Sequence, residues 1–245
     1  FTKRYFNPYG VKNIQIGKEY FLIERKVNKG DKEKKSNYKL KKGQKKTVKR
    51  NGKIYDKNAD HIGLIPLVIV STADRNLIIE GSSTRRKFID GVIGQTDKIY
   101  LTNISDYNKI LSQRNALLKF FAKNRTFDQE TLSIYNHQMC ALAKPIYEKR
   151  KSFMEVFIPI FSKRHESISQ GAEEVDIRYV DDLRENELEV LLDTQLKQDK
   201  ILQYSSVGTH TAHLDFQIVS TPIKKFGSQG QEKTFLIALK GEQSD

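Results

Sequence analysis

The sequence predicts a mixed α/β (α+β) protein in which an antiparallel helical arm is inserted between two sheet-bearing segments. Three observations lead there. Alternating stretches punctuated by turn residues fill 20–57, apolar residues spaced three and four apart run from 82 to 160, and alternation returns from 175 onward. The expected division is 1–80 for the first sheet segment, 81–200 for the arm and 201–245 for the return to the sheet segment.

Taken in order, 20–27 alternates as a strand with Phe21 and Ile23 on one face, and Asn28-Lys29-Gly30-Asp31 reads as a turn before a second strand at 37–41. Residues 47–50 meet Asn51-Gly52, the strongest short hairpin signal, ahead of Lys53, Ile54 and Tyr55. The result is an antiparallel β meander. A short helix is expected at 60–63. The apolar run 66–70 suits a strand buried on both faces, and Asp74 follows at its C-terminal end, where α/β proteins keep their ligands.

The period then becomes helical. Ser82 or Ser83 is the expected cap, followed by the basic triplet Arg85, Arg86, Lys87 and a stripe of Phe88, Ile89, Val92 and Ile93. A second helix carries Leu101, Ile104, Tyr107, Leu111, Leu118 and Phe121. After a polar break at 124–128, a third carries Leu132, Tyr135, Met139, Leu142 and Ile146, skips Lys149, and continues through Phe153, Val156 and Ile160. This heptad-like spacing predicts a coiled-coil-like antiparallel pair, kinked or divided at Pro145 and Pro159. Val175, Ile177 and Tyr179 form an amphipathic strand. One helix is expected over 186–197, with Leu188, Leu191, Leu192 and Leu196 inward, and further strands at 202–207 and 214–219.

Composition narrows the function. The longest apolar run, 62–70, has nine residues and includes Pro66, too short to span a bilayer. A single cysteine, Cys140, excludes an internal disulfide and fits a reducing, cytoplasmic setting. The net charge is +13, and residues 25–57 alone hold fifteen Lys/Arg against three acids. Such density attracts polyanions, chiefly nucleic acid, and Lys41, Lys42, Lys45, Lys46, Lys49 and Arg50 are candidate DNA contacts, with Arg85 and Arg86 beside them. The bland reading of the lysines is a solvated face that protects sheet edges.

No phosphate-binding G-x-x-x-x-G-K-[ST] occurs, the five histidines show no metal-ligand spacing, and no nucleophile–base pair is legible. The chain carries no complete catalytic constellation. One stretch, F-G-S-Q-G-Q-E-K-T at 226–234, stands out before an apolar helical pattern at Phe235, Leu236, Ala238 and Leu239. Its glycines permit close backbone approach to an anion at a helix N-terminus; a surface turn capped by Ser228 is the other reading.

Three segments carry a resemblance. G-S-S-T-R-R-K-F-I-D at 81–90, Y-N-K-I-L-S-Q-R-N-A-L-L-K at 107–119 and F-G-S-Q-G-Q-E-K at 226–233 resemble, in order, motifs of the RecF family of bacterial DNA replication and repair proteins, and the wording of 60–70 is of a Bacteroidetes type. The resemblance implies part of an ABC/SMC-type ATPase head with a shortened helical arm. It further implies ATP with Mg2+ as cofactor in the complete protein, an ATP-dependent homodimer, and binding to gapped DNA and ss/ds junctions. RecR is the implied partner, with RecO and RecA in the same pathway. Ser228, Gln229, Gly230, Gln231 and Lys233 would then form the signature motif that meets ATP held by the other subunit, and Asp74 would be Q-loop-like. The family's Walker A and Walker B are expected outside this chain, which is read as a segment truncated at both ends, inactive alone and without tightly bound nucleotide. At 208–214 the family pattern G-x-H-(R/K)-D-(D/E)-L keeps Gly208, His210 and Leu214 but has Thr211, Ala212 and His213 at the charged positions. The alternatives are a non-catalytic DNA-binding module, or an SMC-like ATPase of another pathway.

Overall fold

The computed structural model describes residues 11–16, 20–29, 32–41, 47–50, 53–54 and 75–241. The helix expected at 60–63, the buried strand at 66–70, Asp74, and Lys42, Lys45 and Lys46 lie outside the described residues. The chain divides into two compact units, 1–65 and 66–245.

The first unit is a five-stranded antiparallel sheet in chain order, β1 (Val11–Ile16), β2 (Tyr20–Lys29), β3 (Lys32–Lys41), β4 (Thr47–Arg50) and β5 (Lys53–Ile54). The expected meander is present, with longer strands: β2 and β3 pair over ten residues, from Tyr20 opposite Lys41 to Lys29 opposite Lys32. β1 has no counterpart in the sequence reading. Val11 and Ile14 have opposite parity along a strand, and the register shifts between Val11 and Asn13, so the alternation that reveals a strand is broken by an irregularity. Arg50 pairs with Lys53 across the Asn-Gly position.

The second unit packs helices against a three-stranded antiparallel sheet. Its elements are α1 (Asn76–Ile79), α2 (Ser82–Thr96), α3 (Lys98–Asn124), α4 (Gln129–Ser169), β6 (Val175–Val180), α5 (Leu188–Thr194), α6 (Leu196–Leu202), β7 (His213–Ile218), β8 (Thr221–Pro222), α7 (Ile223–Phe226) and α8 (Gln229–Gly241). The sheet order is β6-β7-β8. β7 turns Leu214, Phe216 and Ile218 inward at period two, and they meet Phe157 and Phe161 of α4, Phe235 and Leu239 of α8, and Ile89 and Ile93 of α2 in one core. Phe235 is its centre, fully buried with its ring 4.7 Å from Phe161 and 5.1 Å from Phe216.

Local chemistry corrects several expectations. α2 begins one residue before either serine can cap it: Gly81 is the N-cap and offers no side-chain bond, while the Thr84 hydroxyl reaches back to Glu80 at 2.6 Å. α4 is one helix through both Pro145 and Pro159, not two. Each proline costs about 3 kcal/mol in a helix interior, and the apolar face buried on either side of both outweighs it. The single helix expected at 186–197 is broken at Gln195 into α5 and α6. No strand forms at 202–207. There Asn115 Oδ1 takes the Ser205 N–H at 2.7 Å and Asp199 Oδ1 takes the Ser206 N–H at 2.8 Å, side-chain bonds that replace a ladder.

The arm is antiparallel, as expected: Tyr100 meets Arg150 and Arg114 meets Asn136, so positions rise on one helix as they fall on the other. The buried stripe of α4 keeps the expected phase at Leu132, Met139 and Ile146 and then departs from it. Met154, Phe157 and Phe161 are buried, while Val156 is 63% and Ile160 44% exposed. With the adjacent Ile146 and Tyr147 counted as one turn, nine steps lead from Leu132 to His165 across 33 residues, about 3.67 per turn rather than the 3.5 of a heptad.

Between α3 and α4 lies a buried polar hub. Arg114, with no exposed surface, donates to Asn136 Oδ1 at 2.8 Å and to Asp199 Oδ2 and Ser205 Oγ, each at 2.7 Å. Arg150 bonds both carboxylate oxygens of Asp90 (3.0 and 3.1 Å) and the Thr209 carbonyl at 2.6 Å. Removing Asp199 strands a buried cation, so Asp199→Ala is expected to lower the unfolding free energy by about 3–5 kcal/mol in chemical denaturation. The double change Arg114→Met with Asp199→Leu should recover much of that loss.

Candidate functional site

α7 ends at Phe226 and two residues later α8 begins, so the glycine-rich stretch forms a tight link between helices. Gly227 N–H donates to the Ile223 carbonyl at 2.9 Å, and a Cβ at Gly227 would sit 2.7 Å from that oxygen. Glycine is therefore required there by the chain itself. Ser228 and Gln231 form a reciprocal capping box: Ser228 Oγ accepts from the Gln231 N–H at 3.3 Å, and Gln231 Oε1 accepts from the Ser228 N–H at 2.7 Å. The Glu232 N–H closes on the Ser228 carbonyl at 2.9 Å.

Two donors are left over. The N–H groups of Gln229 and Gly230 have no acceptor among the described residues, and both residues are exposed, as are Ser228 and Lys233. A Cβ at Gly230 would meet only Ser228 Oγ, at an ordinary 3.8 Å. Internal packing thus explains Gly227 but not Gly230. The turn combines two free amides, a serine hydroxyl whose proton is uncommitted, a nearby lysine and the positive end of a 13-residue helix. These features suit a phosphate.

Long-range contacts hold the first turn of α8. Glu232 is buried and accepts from Arg75 Nε at 2.7 Å, while Gln231 Nε2 donates to Glu173 Oε1 at 2.8 Å. Arg75 directly follows Asp74. Neither Arg75 nor Glu173 has a sequence signal: they lie 157 and 58 residues from their partners.

The basic candidates separate. Lys41 ends β3 opposite Tyr20, and Lys49 and Arg50 lie in β4, Lys49 exposed. Arg85 is not a surface cation. It is 8% exposed and its guanidinium is spent on the carbonyls of Leu77, Leu214, Ile78 and Glu80 (2.6–3.3 Å), 4.8 Å above the Phe216 ring. Burial lowers its pKa, with Asp215 opposing. Arg86 is half-buried and donates to the Ala212 carbonyl. The spacing of Arg85, Ile89 and Ile93, each four apart and all buried, was the available sign that Arg85 points inward.

The segment 208–214 is also internal. Gly208 has φ +131°, and a Cβ there would overlap the Tyr107 hydroxyl. His210 lies between the Tyr107 hydroxyl and the Ser205 carbonyl, each at 3.0 Å. The carbonyl can only accept, so Nε2 carries the proton and Nδ1 accepts from Tyr107, whose pKa burial pushes up to about 12. Thr211 bonds Asp182 at 3.1 Å and the Gly208 carbonyl at 2.5 Å, a polar tie in place of the family's charged residue. Among the described residues no three His, Cys, Asp or Glu side chains converge to hold a metal, and no helix is long and apolar enough to cross a membrane.

His165 lies fully buried between the rings of Phe161 and Phe235, both centroids 6.2 Å away, and neither ring nitrogen has a partner among the described residues. Burial holds its pKa, and that of His210, below the ordinary 6.5. The folded state then binds fewer protons than the unfolded one, so this contribution is complete above pH 6.5 and is lost as pH falls below it. His165→Leu is expected to flatten the acid side of a stability-versus-pH curve measured by equilibrium denaturation.

No family model matches the chain. Among curated proteins, the DNA replication and repair protein RecF of Flavobacterium johnsoniae is 55% identical over 240 residues, covering 98% of this chain and 67% of that protein. RecF of Phocaeicola vulgatus is 41% identical over 246 residues, covering 100% and 66%. The chain thus spans about two thirds of the length of these relatives. A solved structure of the recombination mediator protein RecF-ATP in the RecFOR pathway matches with a TM-score of 0.82 and 29% identity, covering 92% of this chain and 63% of that one; the RecF-ATPrS structure matches at 0.80 and 28%, covering 94% and 64%. The meander and the inserted antiparallel arm are thus parts of the RecF fold. With identity this high along nearly its whole length, the chain belongs to the RecF family of DNA replication and repair proteins.

Proposed function

We propose that the chain is the central portion of an ATP-dependent recombination mediator of RecF type, an ABC/SMC-type ATPase that dimerises on ATP and binds DNA. The observation that carries this reading is the turn before α8: a capping box that fixes the Ser228 backbone while leaving the Gln229 and Gly230 amides free. In the complete protein Ser228, Gly230 and Lys233 meet the terminal phosphate of ATP held, with Mg2+, by a second subunit. The Ser228 hydroxyl donates, the two amides donate, and Lys233 adds charge. Asp74 completes the nucleotide surroundings as the Q-loop-like residue. The similarity to structures described as RecF-ATP and RecF-ATPrS supports nucleotide as the ligand class.

The DNA contact falls on the meander. Its register sets Lys26 opposite Lys35, Lys29 opposite Lys32 and Arg50 opposite Lys53. Like charges directly opposed weaken a sheet, so this arrangement is not one that fold stability favours, whereas a polyanion relieves it. Lys41, Lys42, Lys45, Lys46, Lys49 and Arg50 form the phosphate-binding set; Arg85 is withdrawn from it. Gapped DNA and ss/ds junctions are the expected substrates in the cytoplasm, with RecR as direct partner and RecO and RecA in the same pathway.

Ser228→Asn retains a capping acceptor but loses the hydroxyl. In the complete protein it is expected to leave ATP affinity unchanged and weaken ATP-driven dimerisation about tenfold, as loss of one charge-assisted hydrogen bond would, measured by analytical ultracentrifugation with and without ATP. Normal dimerisation would remove the turn from the nucleotide site. Charge reversal of Lys41, Lys42, Lys45 and Lys46 should reduce DNA affinity and flatten its dependence on salt, by about 0.9 in the log–log slope for each phosphate no longer neutralised. Affinity that is unaltered would clear the meander of this role, and steep affinity indifferent to ATP would favour a DNA-binding module without nucleotide control.

A further inference from the structure

We infer that Glu173 is a positioning residue for the phosphate-facing turn: acting through the Gln231 side chain, it fixes the orientation in which Ser228 and the free amides are presented. The inference rests on the reading of that turn given above.

Gln231 is the pivot. A primary amide has an accepting and a donating end of nearly equal size, and nothing in its shape decides which end faces which neighbour. Here the oxygen accepts from the Ser228 N–H at 2.7 Å and the nitrogen donates to Glu173 Oε1 at 2.8 Å. Turned by half a revolution, the same group would set N–H against N–H at Ser228 and a carbonyl against a carboxylate at Glu173. Both contacts would be repulsive. An ionised carboxylate accepts and cannot donate, so Glu173 selects the single orientation in which the capping box closes.

The selected geometry divides the donors of the turn. The Ser228 N–H is committed inward, and its hydroxyl oxygen is committed as acceptor to the Gln231 N–H. What remains for a ligand is the hydroxyl proton and the N–H groups of Gln229 and Gly230. Gln231 has both ends of its side chain engaged within the chain.

Glu173 is itself held. It lies in the short connection between α4 and β6, which reverses through Gln170 (φ +55°) and Gly171 (φ +75°). The adjacent Glu174 carbonyl accepts from the Val219 N–H at 2.8 Å, tying the connection to the end of β7. The carboxylate is thus placed by the arm helix on one side and the sheet on the other. At the next position of the same helical turn, Arg75 holds Glu232. The exposed turn is braced from two directions.

The test compares Glu173→Ala, which removes the acceptor, with Glu173→Gln, whose carbonyl can still accept from Gln231 Nε2. In the complete protein, Glu173→Ala is expected to weaken ATP-driven dimerisation about tenfold and to speed hydrogen exchange in peptides covering 227–231. ATP affinity and Tm should match the parent, and Glu173→Gln should restore both lost properties. If Glu173→Ala dimerises normally while Ser228→Asn is impaired, the positioning role is overturned and the reading of the turn stands. Equal loss in the Ala and Gln variants overturns it too, because charge rather than the Gln231 bond would then be acting. If Ser228→Asn also dimerises normally, the turn is not a nucleotide site and the inference falls with it.

Discussion

Two guanidinium groups sealed between α3 and α4 determine how the second unit is assembled. Arg114 and Arg150 reach out of the arm to Asp199, Ser205, Thr209 and Asp90, and so tie α6, the 205–210 connection and α2 to the arm. Burying charge costs several kcal/mol per ion, on the order of what pairing returns. The hub is not fully satisfied either: Arg114 Nη2 and Thr209 Oγ1 have no partner among the described residues. Its value lies in specificity. An apolar seam would tolerate slippage of α3 along α4, whereas Arg114 meets Asn136 and Asp199 in one register only. The family-specific wording around residues 81–90 and 107–119 finds its physical reason here, because Arg85, Asp90, Arg114 and Asn115 all bond internal groups.

The arm was legible in the sequence because its apolar periodicity is long enough to override local noise. Its second half was legible only in type, not in phase. Phe153, Val156 and Ile160 compete with Met154, Phe157 and Phe161 as apolar stripes one residue apart. Arg150 decides between them, since its pairing with Asp90 rotates the helix so that the latter set faces inward. A polar residue at a core position was thus the deciding signal and looked like an interruption. Arg114 is the same case, in phase with Tyr107, Leu118 and Phe121. Failures of alternation had a different origin. At 202–207 the pattern resembled a strand, but Asn115 and Asp199 captured the backbone donors, and no local rule shows a partner ninety residues away.

The turn at Gly227 and Ser228 was legible in kind: glycine spacing marked it, and Ser228 does cap the helix that follows. The two sequence readings, capped surface turn and phosphate-facing turn, are compatible in this geometry, because the cap consumes one set of donors and leaves another. Invisible in sequence were the residues that make the turn rigid. Glu173 and Arg75 are ordinary charged residues in ordinary surroundings, and only folding brings them to α8.

The spacing of the buried stripe along α4 also governs how an arm of this kind can change length. At about 3.67 residues per turn the stripe follows the straight helix closely and imposes no left-handed wrap on its partner. Growth by units of eleven residues in both helices would carry the seam onward without rotating it, while growth by sevens would turn the added segment off the seam. Short and long arms built on this packing should therefore differ by hendecads.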